Sequence, residues 1–193
     1  MKHLNKIFAG AAVLVLLTGC DLFKHSISAE KYQEKVDKLE AHQYSEATVT
    51  IKEVMNGTGF HAGTNIDQED TGTFNWNSET REWEAADELT DPYLRFNIYS
   101  LQGKKVTDVI NKPSSSTLEF KVTYYSNLEV KTVIKGSITT DEYTVTYDKY
   151  ETNYKFDKYG YITSYKMVCN SSSIRGGEQG TQHNTLTYTV SYK

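Results

Sequence analysis

The sequence predicts a mostly β protein with one N-terminal helix and a single curved antiparallel sheet, half-barrel or barrel-like; a β-sandwich is the alternative. Two observations lead to this fold class. Apolar and polar residues alternate with a period of two through most of the chain, and turn-forming residues interrupt the alternation about every ten residues. Only the segment after Ser28 has apolar residues at helical spacing.

The helix is expected to begin at Ser28, a favoured N-cap residue, and to end near His42. Tyr32, Val36 and Leu39 fall at i, i+4 and i+7, so they form one apolar stripe. A helix this short is not stable alone. We therefore expect it to dock on the sheet and to bury its stripe, and in the half-barrel reading it covers the concave face.

The first half of the β region has the less regular pattern. Alternation over residues 47–51 predicts a strand, and Asn56–Gly59 predicts the turn after it, whereas residues 60–71 have little pattern. The Asn-Ser-Glu-Thr run at 77–80 favours a hairpin turn over a short helix. Further strands are expected at 74–76 and 94–98, and a short element at 106–110.

The second half is the more regular, and it brings the total to roughly eight or nine strands. Gly136 is expected to break one strand, and Asn170–His183 is expected to form a polar, glycine-rich loop. The strands are predicted at 118–124, 130–134, 143–147, 154–156, 162–169 and 186–192.

The first twenty residues have the features of an export signal. Lys2 and Lys6 precede an apolar stretch that is too short to cross a bilayer, which needs about 20 apolar residues. The run from Leu17 to Cys20, Leu-Thr-Gly-Cys, resembles the lipobox of bacterial lipoproteins. The resemblance implies that residues 1–19 are removed and that Cys20 receives a diacylglyceryl group. Residues 20–27 are then a short tether and residues 28–193 a single domain.

This resemblance implies a protein anchored in the cell membrane by lipid, on the extracytoplasmic face, either on the periplasmic side or at the cell surface. Two or three acyl chains hold a protein stably on a bilayer. The formal net charge is −4, and loss of Lys2 and Lys6 brings the mature part to about −6. A domain this acidic is not expected to be drawn to anionic lipid or to nucleic acid.

The order of elements, a helix followed by a series of antiparallel strands from about 28 to 193, resembles the outer-membrane lipoprotein carrier family. Members of that family hold lipid in the concave face of a curved sheet. The resemblance implies the same fold here and a hydrophobic ligand on the sheet. It rests on element order and on no diagnostic motif.

No catalytic, metal-binding or cofactor-binding motif is found. The histidines are not spaced as metal ligands, and the glycine run at 176–180 lacks the Lys-Ser/Thr ending of a phosphate loop. Because Cys20 carries the lipid, Cys169 has no intrachain partner, and we expect a buried, reduced and unreactive thiol. We therefore expect a protein that binds rather than catalyses; a hydrolase is the remaining alternative.

Tyrosine is abundant, with 15 residues against 7 phenylalanines. Aromatic platforms bind sugars, lipids and peptides, although strand propensity and codon composition also explain the excess. We expect Phe96, Phe120, Tyr124 and Tyr147 to line a site for a small hydrophobic or glycan ligand. The alternative is a protein-interaction or envelope-structural module that meets an envelope protein and takes no small ligand.

Overall fold

The computed structural model describes residues 25–86, 105–108 and 117–193. Within these ranges, nine strands form one open antiparallel sheet in the order β1-β5-β6-β7-β8-β9-β2-β3-β4. The predicted fold class is confirmed, and the sandwich alternative is not, because every strand of the described residues belongs to this one sheet. The strands are β1 (Ser26–Ile27), β2 (Glu46–Gly59), β3 (Ile66–Asn77), β4 (Glu82–Ala85), β5 (Leu118–Tyr125), β6 (Val130–Thr139), β7 (Tyr143–Phe156), β8 (Ile162–Arg175) and β9 (Glu178–Tyr192).

The helix α1 (Ala29–Val36) begins as predicted, with Ser28 as its N-cap. The Ser28 hydroxyl accepts a hydrogen bond from the Lys31 backbone N–H at 3.3 Å. The expected end near His42 is wrong, because α-helical geometry stops at Val36. The chain then tightens, and the Leu39 N–H bonds to the Val36 carbonyl three residues back, so Leu39 still reaches the core although the helix has ended.

The strands of the second half are longer than their apolar alternation indicates. The predicted loop at Asn170–His183 is wrong, because these residues continue β8 and β9 up to the pair Arg175–Glu178. Only Gly176 and Gly177 turn, with φ of 59° and 88°. Positive φ at both central residues is what the type I′ two-residue hairpin turn requires, and glycine adopts it without strain.

The first half differs from expectation in a similar way. Residues 56–59 do not turn, because β2 continues to the pair Gly59–Gly180 and the chain reverses afterwards, at 60–65. Gly136 does not end β6; its φ of 118° accompanies a register shift within the strand. The hairpin at 77–80 is confirmed, and a short 3-10 helix occupies Val106–Asp108. The strand predicted at 94–98 lies outside the described residues.

The long strands give the sheet two ends, the helix end and the far end. The helix end carries α1 and the turns at 126–129 and 157–161, and the far end carries the turns at 60–65, 140–142 and 176–177. Most of the fully buried apolar side chains lie in the helix-end half of the strands. They include Ala47, Val49, Ile51, Phe74, Ile162 and Tyr188, each 0% exposed.

Candidate ligand-binding face

Three of the four aromatic residues predicted to bind ligand lie on one face of the sheet. In antiparallel pairs, directly opposed residues point to the same side. Phe120 opposes Ile134, Tyr124 opposes Val130, and the register continues across β7 to bring Tyr147 to this face. This is also the face on which α1 packs, and we call it the helix-bearing face. Phe96 and the lipidation residue Cys20 lie outside the described residues.

Tyr124 belongs to the core beneath the helix. Its ring centroid lies 4.8 Å from that of Tyr32 on α1, and it is 5% exposed. Burial raises the pKa of the Tyr124 hydroxyl. Of the predicted set, Phe120 and Tyr147 therefore form the part of the face that solvent still reaches, because both are only half-buried.

An irregularity in β7 places a second tyrosine beside Tyr147. The register shifts between Tyr147 and Lys149, so Asp148 is an extra residue that has no directly opposed partner in β6 or in β8. Without this bulge, residues 147 and 150 would point to opposite faces. With it, the Tyr147 and Tyr150 rings meet edge-to-face with centroids 5.5 Å apart. Burial, foremost, raises the pKa of both hydroxyl groups.

Cys169 lies on the same face, opposite Tyr150 in the register. It is free and only partly buried, so the expectation of a buried residue is met in part. Burial raises the pKa of the thiol, while a hydrogen bond with Ser171 acts in the opposite direction. A thiol with a raised pKa carries little thiolate near neutral pH, and the thiolate is the reactive form. Its low reactivity stays a prediction.

At the far end, this face opens into a cavity of about 320 Å³. Tyr143 and Val145 of β7 face it from one side and oppose Arg175 and Ser173 of β8. Tyr143 is 41% exposed, which is high for an aromatic side chain. The lining residues are Phe60, His61, Glu142, Tyr143, Val145, Ser173 and Arg175.

Two glycines let the 60–65 turn fold over the sheet to form the opposite wall. A Cβ atom on Gly180 would lie 2.9 Å from the His61 ring, and one on Gly57 would lie 2.2 Å from the His61 carbonyl oxygen. Because glycine has no side chain at these two positions, the turn can cross β9 closely and reach β8. There, His61 Nε2 and the Ser173 hydroxyl are 2.9 Å apart and form a hydrogen bond.

The cavity combines flat apolar rings with polar groups of both signs. The Phe60 and His61 rings pack with centroids 4.3 Å apart, and the Tyr143 ring lies among the lining residues. Arg175 supplies several hydrogen-bond donors, and Glu142 supplies acceptors. Such a lining suits a ligand with one apolar surface and several hydroxyl or amide groups. It suits a purely aliphatic chain less well, since the polar groups would lose water without gaining partners.

Sequence reasoning missed most of this cavity. It placed Arg175 in a polar loop and assigned His61 no role, because both are distant in sequence from the aromatic alternation. The one available signal was the alternation of Tyr143, Val145 and Tyr147, which extends the predicted aromatic face toward the far end. The partners of Tyr143 and Val145 depend on the β7–β8 register.

No protein-family model matches the chain, and a search of curated proteins finds no match. In the described ranges, no helix is long and apolar enough to cross a membrane. Nor, within those ranges, do three or more His, Cys, Asp or Glu side chains come together as a metal-binding group. The functional conclusion therefore rests on the sequence features and on the geometry of the sheet.

Proposed function

We propose that this protein is a lipoprotein, anchored at the extracytoplasmic face of the membrane through lipid on Cys20, that binds a glycan without catalysing a reaction. The observation that carries the ligand class is the far-end cavity, where aromatic rings and hydrogen-bonding side chains line the same space. Sugars present apolar C–H faces and hydroxyl groups together, which this lining complements.

The position of the cavity relative to the anchor supports this function. The described chain enters at the helix end, where the His25 carbonyl accepts a hydrogen bond from the Ser126 N–H. Tyr143 begins β7 at the cavity, and Phe156 ends it at the helix end. The 14 residues of β7 span roughly 40–45 Å at about 3.3 Å per residue. A lipid on Cys20 would thus hold the cavity well away from the bilayer surface.

The anchor is tested by Cys20→Ala. We expect the variant to lose incorporation of labelled palmitate and to leave the membrane fraction during a carbonate wash. A variant that remains with the membrane like the wild type would show that the lipid on Cys20 is not the anchor.

The ligand is tested first by native mass spectrometry of the purified protein, which would reveal a co-purified glycan or lipid, and then by calorimetry with cell-envelope glycan fragments. Tyr143→Ala should weaken glycan binding by roughly threefold to tenfold, the worth of one aromatic contact. Ile174→Ala is the matched control, because Ile174 is 47% exposed and adjacent to Arg175 but lies on the opposite face. Equal binding by both variants and the wild type would contradict a glycan site at this cavity.

A second candidate function is protein interaction through the far end. Tyr143 and Ile174 are the large hydrophobic residues exposed on the described part of the surface, and both lie on strand ends there. A partner that covers this end would contact both faces of the sheet. Loss of a co-purifying envelope protein in Ile174→Ala as well as in Tyr143→Ala would favour this function over a glycan confined to the cavity.

A further inference from the structure

The helix end carries a second and larger cavity, an open groove of about 540 Å³. Its floor is apolar and consists of Leu39, Leu128 and Phe156. Three lysines line it: Lys35 and Lys38 from α1 and the turn after it, and Lys158 from the turn between β7 and β8. All three are exposed. No basic patch is visible in the sequence, because folding brings Lys158 to the other two lysines from more than a hundred residues away.

The positive charge of these lysines is not cancelled by ion pairs. Among the described residues, none of the three has a carboxylate within 4 Å of its ammonium group. The nitrogen of Lys158 lies over the Tyr159 ring, 4.6 Å from its centroid. Other lysines of the chain do have a carboxylate partner within 4 Å, for example Lys131, whose ammonium group lies 3.2 Å from the Glu151 carboxylate.

Among the described residues, Asp157 is the one acid that lines the groove, and both of its carboxylate oxygens accept hydrogen bonds from the protein. Its Oδ2 accepts from the Tyr44 hydroxyl at 2.6 Å, and its Oδ1 accepts from the backbone N–H groups of Tyr159 and Tyr161, both at 2.9 Å. Glu34, Asp37 and Glu40 are also exposed in or after α1, but they do not line the groove. Asp157 keeps its negative charge, and both Asp157 and Glu40 interact electrostatically with Lys158. With three lysines and one acid among its lining residues, the groove still carries an excess of positive charge on a chain of net negative charge.

The groove also lies at the end of the sheet where the described chain begins. Its wall residue Ser126 bonds to the carbonyl of His25, and His25 follows Cys20 by five residues. Five residues reach at most about 18 Å when fully extended. A lipid on Cys20 would hold this groove within that distance of the bilayer. Because charges beyond about 8 Å are screened at physiological ionic strength, the local lysines outweigh the net charge of the rest of the domain at the surface.

From charge complementarity and this short tether, we infer that the lysine groove binds the headgroup of an anionic phospholipid and so fixes the helix end against the bilayer. The inference rests on the proposed anchoring through Cys20. The phosphate would contact the three ammonium groups, and the apolar floor would accept the glycerol and the first methylenes of the acyl chains. The far-end cavity would then face away from the membrane in one orientation.

The test uses the lipidated protein in nanodiscs of phosphatidylcholine alone or with one part in three phosphatidylglycerol. Amine acetylation followed by mass spectrometry measures the reactivity of each lysine. We expect Lys35, Lys38 and Lys158 to react at least about threefold more slowly in the anionic discs, since each lysine near an anionic surface contributes roughly a fivefold preference. Exposed Lys121, Lys135 and Lys166 serve as internal controls and should change little. High salt should abolish the difference.

A matched pair of triple variants gives a second measurement. Lys35→Gln/Lys38→Gln/Lys158→Gln removes the groove charge, and Lys121→Gln/Lys135→Gln/Lys166→Gln removes the same charge elsewhere on the exposed surface. Hydrogen exchange of the 126–129 turn should slow in anionic discs for the wild type and the control triple. It should not slow for the groove triple. Because the groove lysines make no ion pair in the described structure, the groove triple is expected to fold.

The remaining outcomes contradict the inference. Equal reactivity of the groove lysines in the two kinds of disc would show that the groove does not recognise anionic lipid. If in both discs they also reacted more slowly than the control lysines, the slowing would reflect proximity to the bilayer alone. Protection by soluble glycerol phosphate over zwitterionic discs, without an effect of the lipid, would assign the groove to a free anion. Intact-mass analysis is done first; absence of lipid on Cys20 would overturn the anchoring itself, and with it the inference.

Discussion

The two ends of the sheet use the same residue type for different purposes. At the helix end, the hydroxyl groups of Tyr32, Tyr161 and Tyr192 donate to backbone carbonyls at 2.8–2.9 Å, and their rings pack in the interior. At the far end, Tyr143 is exposed and Tyr147 is half-buried, and both border the open part of the helix-bearing face. The tyrosine excess of the sequence is thus mainly structural at one end and available for binding at the other.

The difference follows from what covers each half of the helix-bearing face. Helix α1 and the 126–129 turn lie over the helix end, so large apolar residues there exclude water. Among the described residues, the 60–65 turn is the element that folds over the far end, and it leaves a cavity beneath it. Stability is therefore expected to reside mostly at the helix end and recognition at the far end.

The largest expected effect compares two phenylalanines of this face. Phe74 is 0% exposed in the helix-end half, so Phe74→Ala should lower the free energy of unfolding by about 3–5 kcal/mol. Phe120 is only half-buried, so Phe120→Ala should cost about 1–2 kcal/mol. Urea titrations of both variants measure the difference. Similar losses would show that the two halves of the sheet contribute equally to stability.

The fold class could be predicted because its signals are local. The Ser28 cap and the stripe of Tyr32 and Val36 lie within one short segment, and the alternation of Leu118 to Tyr124 needs only its own residues. The helix end was misplaced because Leu39 continues the stripe through a tighter turn that sequence spacing does not distinguish from a helix.

The candidate site could be predicted only in part, because it depends on pairing between distant strands. The bulge at Asp148 decides that Tyr150 joins Tyr147, and no residue there marks a bulge in the sequence. The hairpin at Gly176–Gly177 looked like a loop because its strands alternate serine, threonine and glycine instead of apolar residues. Ser173 and Arg175 thus reach the cavity through hydrogen-bonded register, which apolar alternation does not report.

A smaller effect is expected from removing one buried hydroxyl group. The Tyr32 hydroxyl donates a hydrogen bond to the Leu128 carbonyl at 2.9 Å. Leu128 itself has a φ of 66°, a backbone conformation that is unfavourable for residues other than glycine. Tyr32→Phe leaves that carbonyl without its donor and should cost about 1–2 kcal/mol. Tyr147→Phe is the control at the other end and should change stability by less than about 0.5 kcal/mol. Thermal or urea unfolding that ranks the two variants in the reverse order would contradict the division between the two ends.

The smallest expected effect is a change in the pH dependence of stability at the helix end. Burial, then the hydrogen bond to Asp157, raises the pKa of Tyr44 from 10.0 to about 12. In the unfolded chain Tyr44 ionises near pH 10, whereas in the folded protein it stays neutral until about pH 12. Its contribution to stability is therefore fully present below pH 10 and is lost as the pH rises through 10 to about 12.

Tyr44→Phe keeps the ring stacked on Tyr192, with centroids 4.7 Å apart in the wild type, but removes the ionisable group. The variant should thus lose less stability than the wild type between pH 10 and 12, which urea titrations at stepped pH would measure. Parallel curves for the two proteins would mean that Tyr44 ionises alike in the folded and unfolded states, and that its bond to Asp157 does not hold the phenol proton.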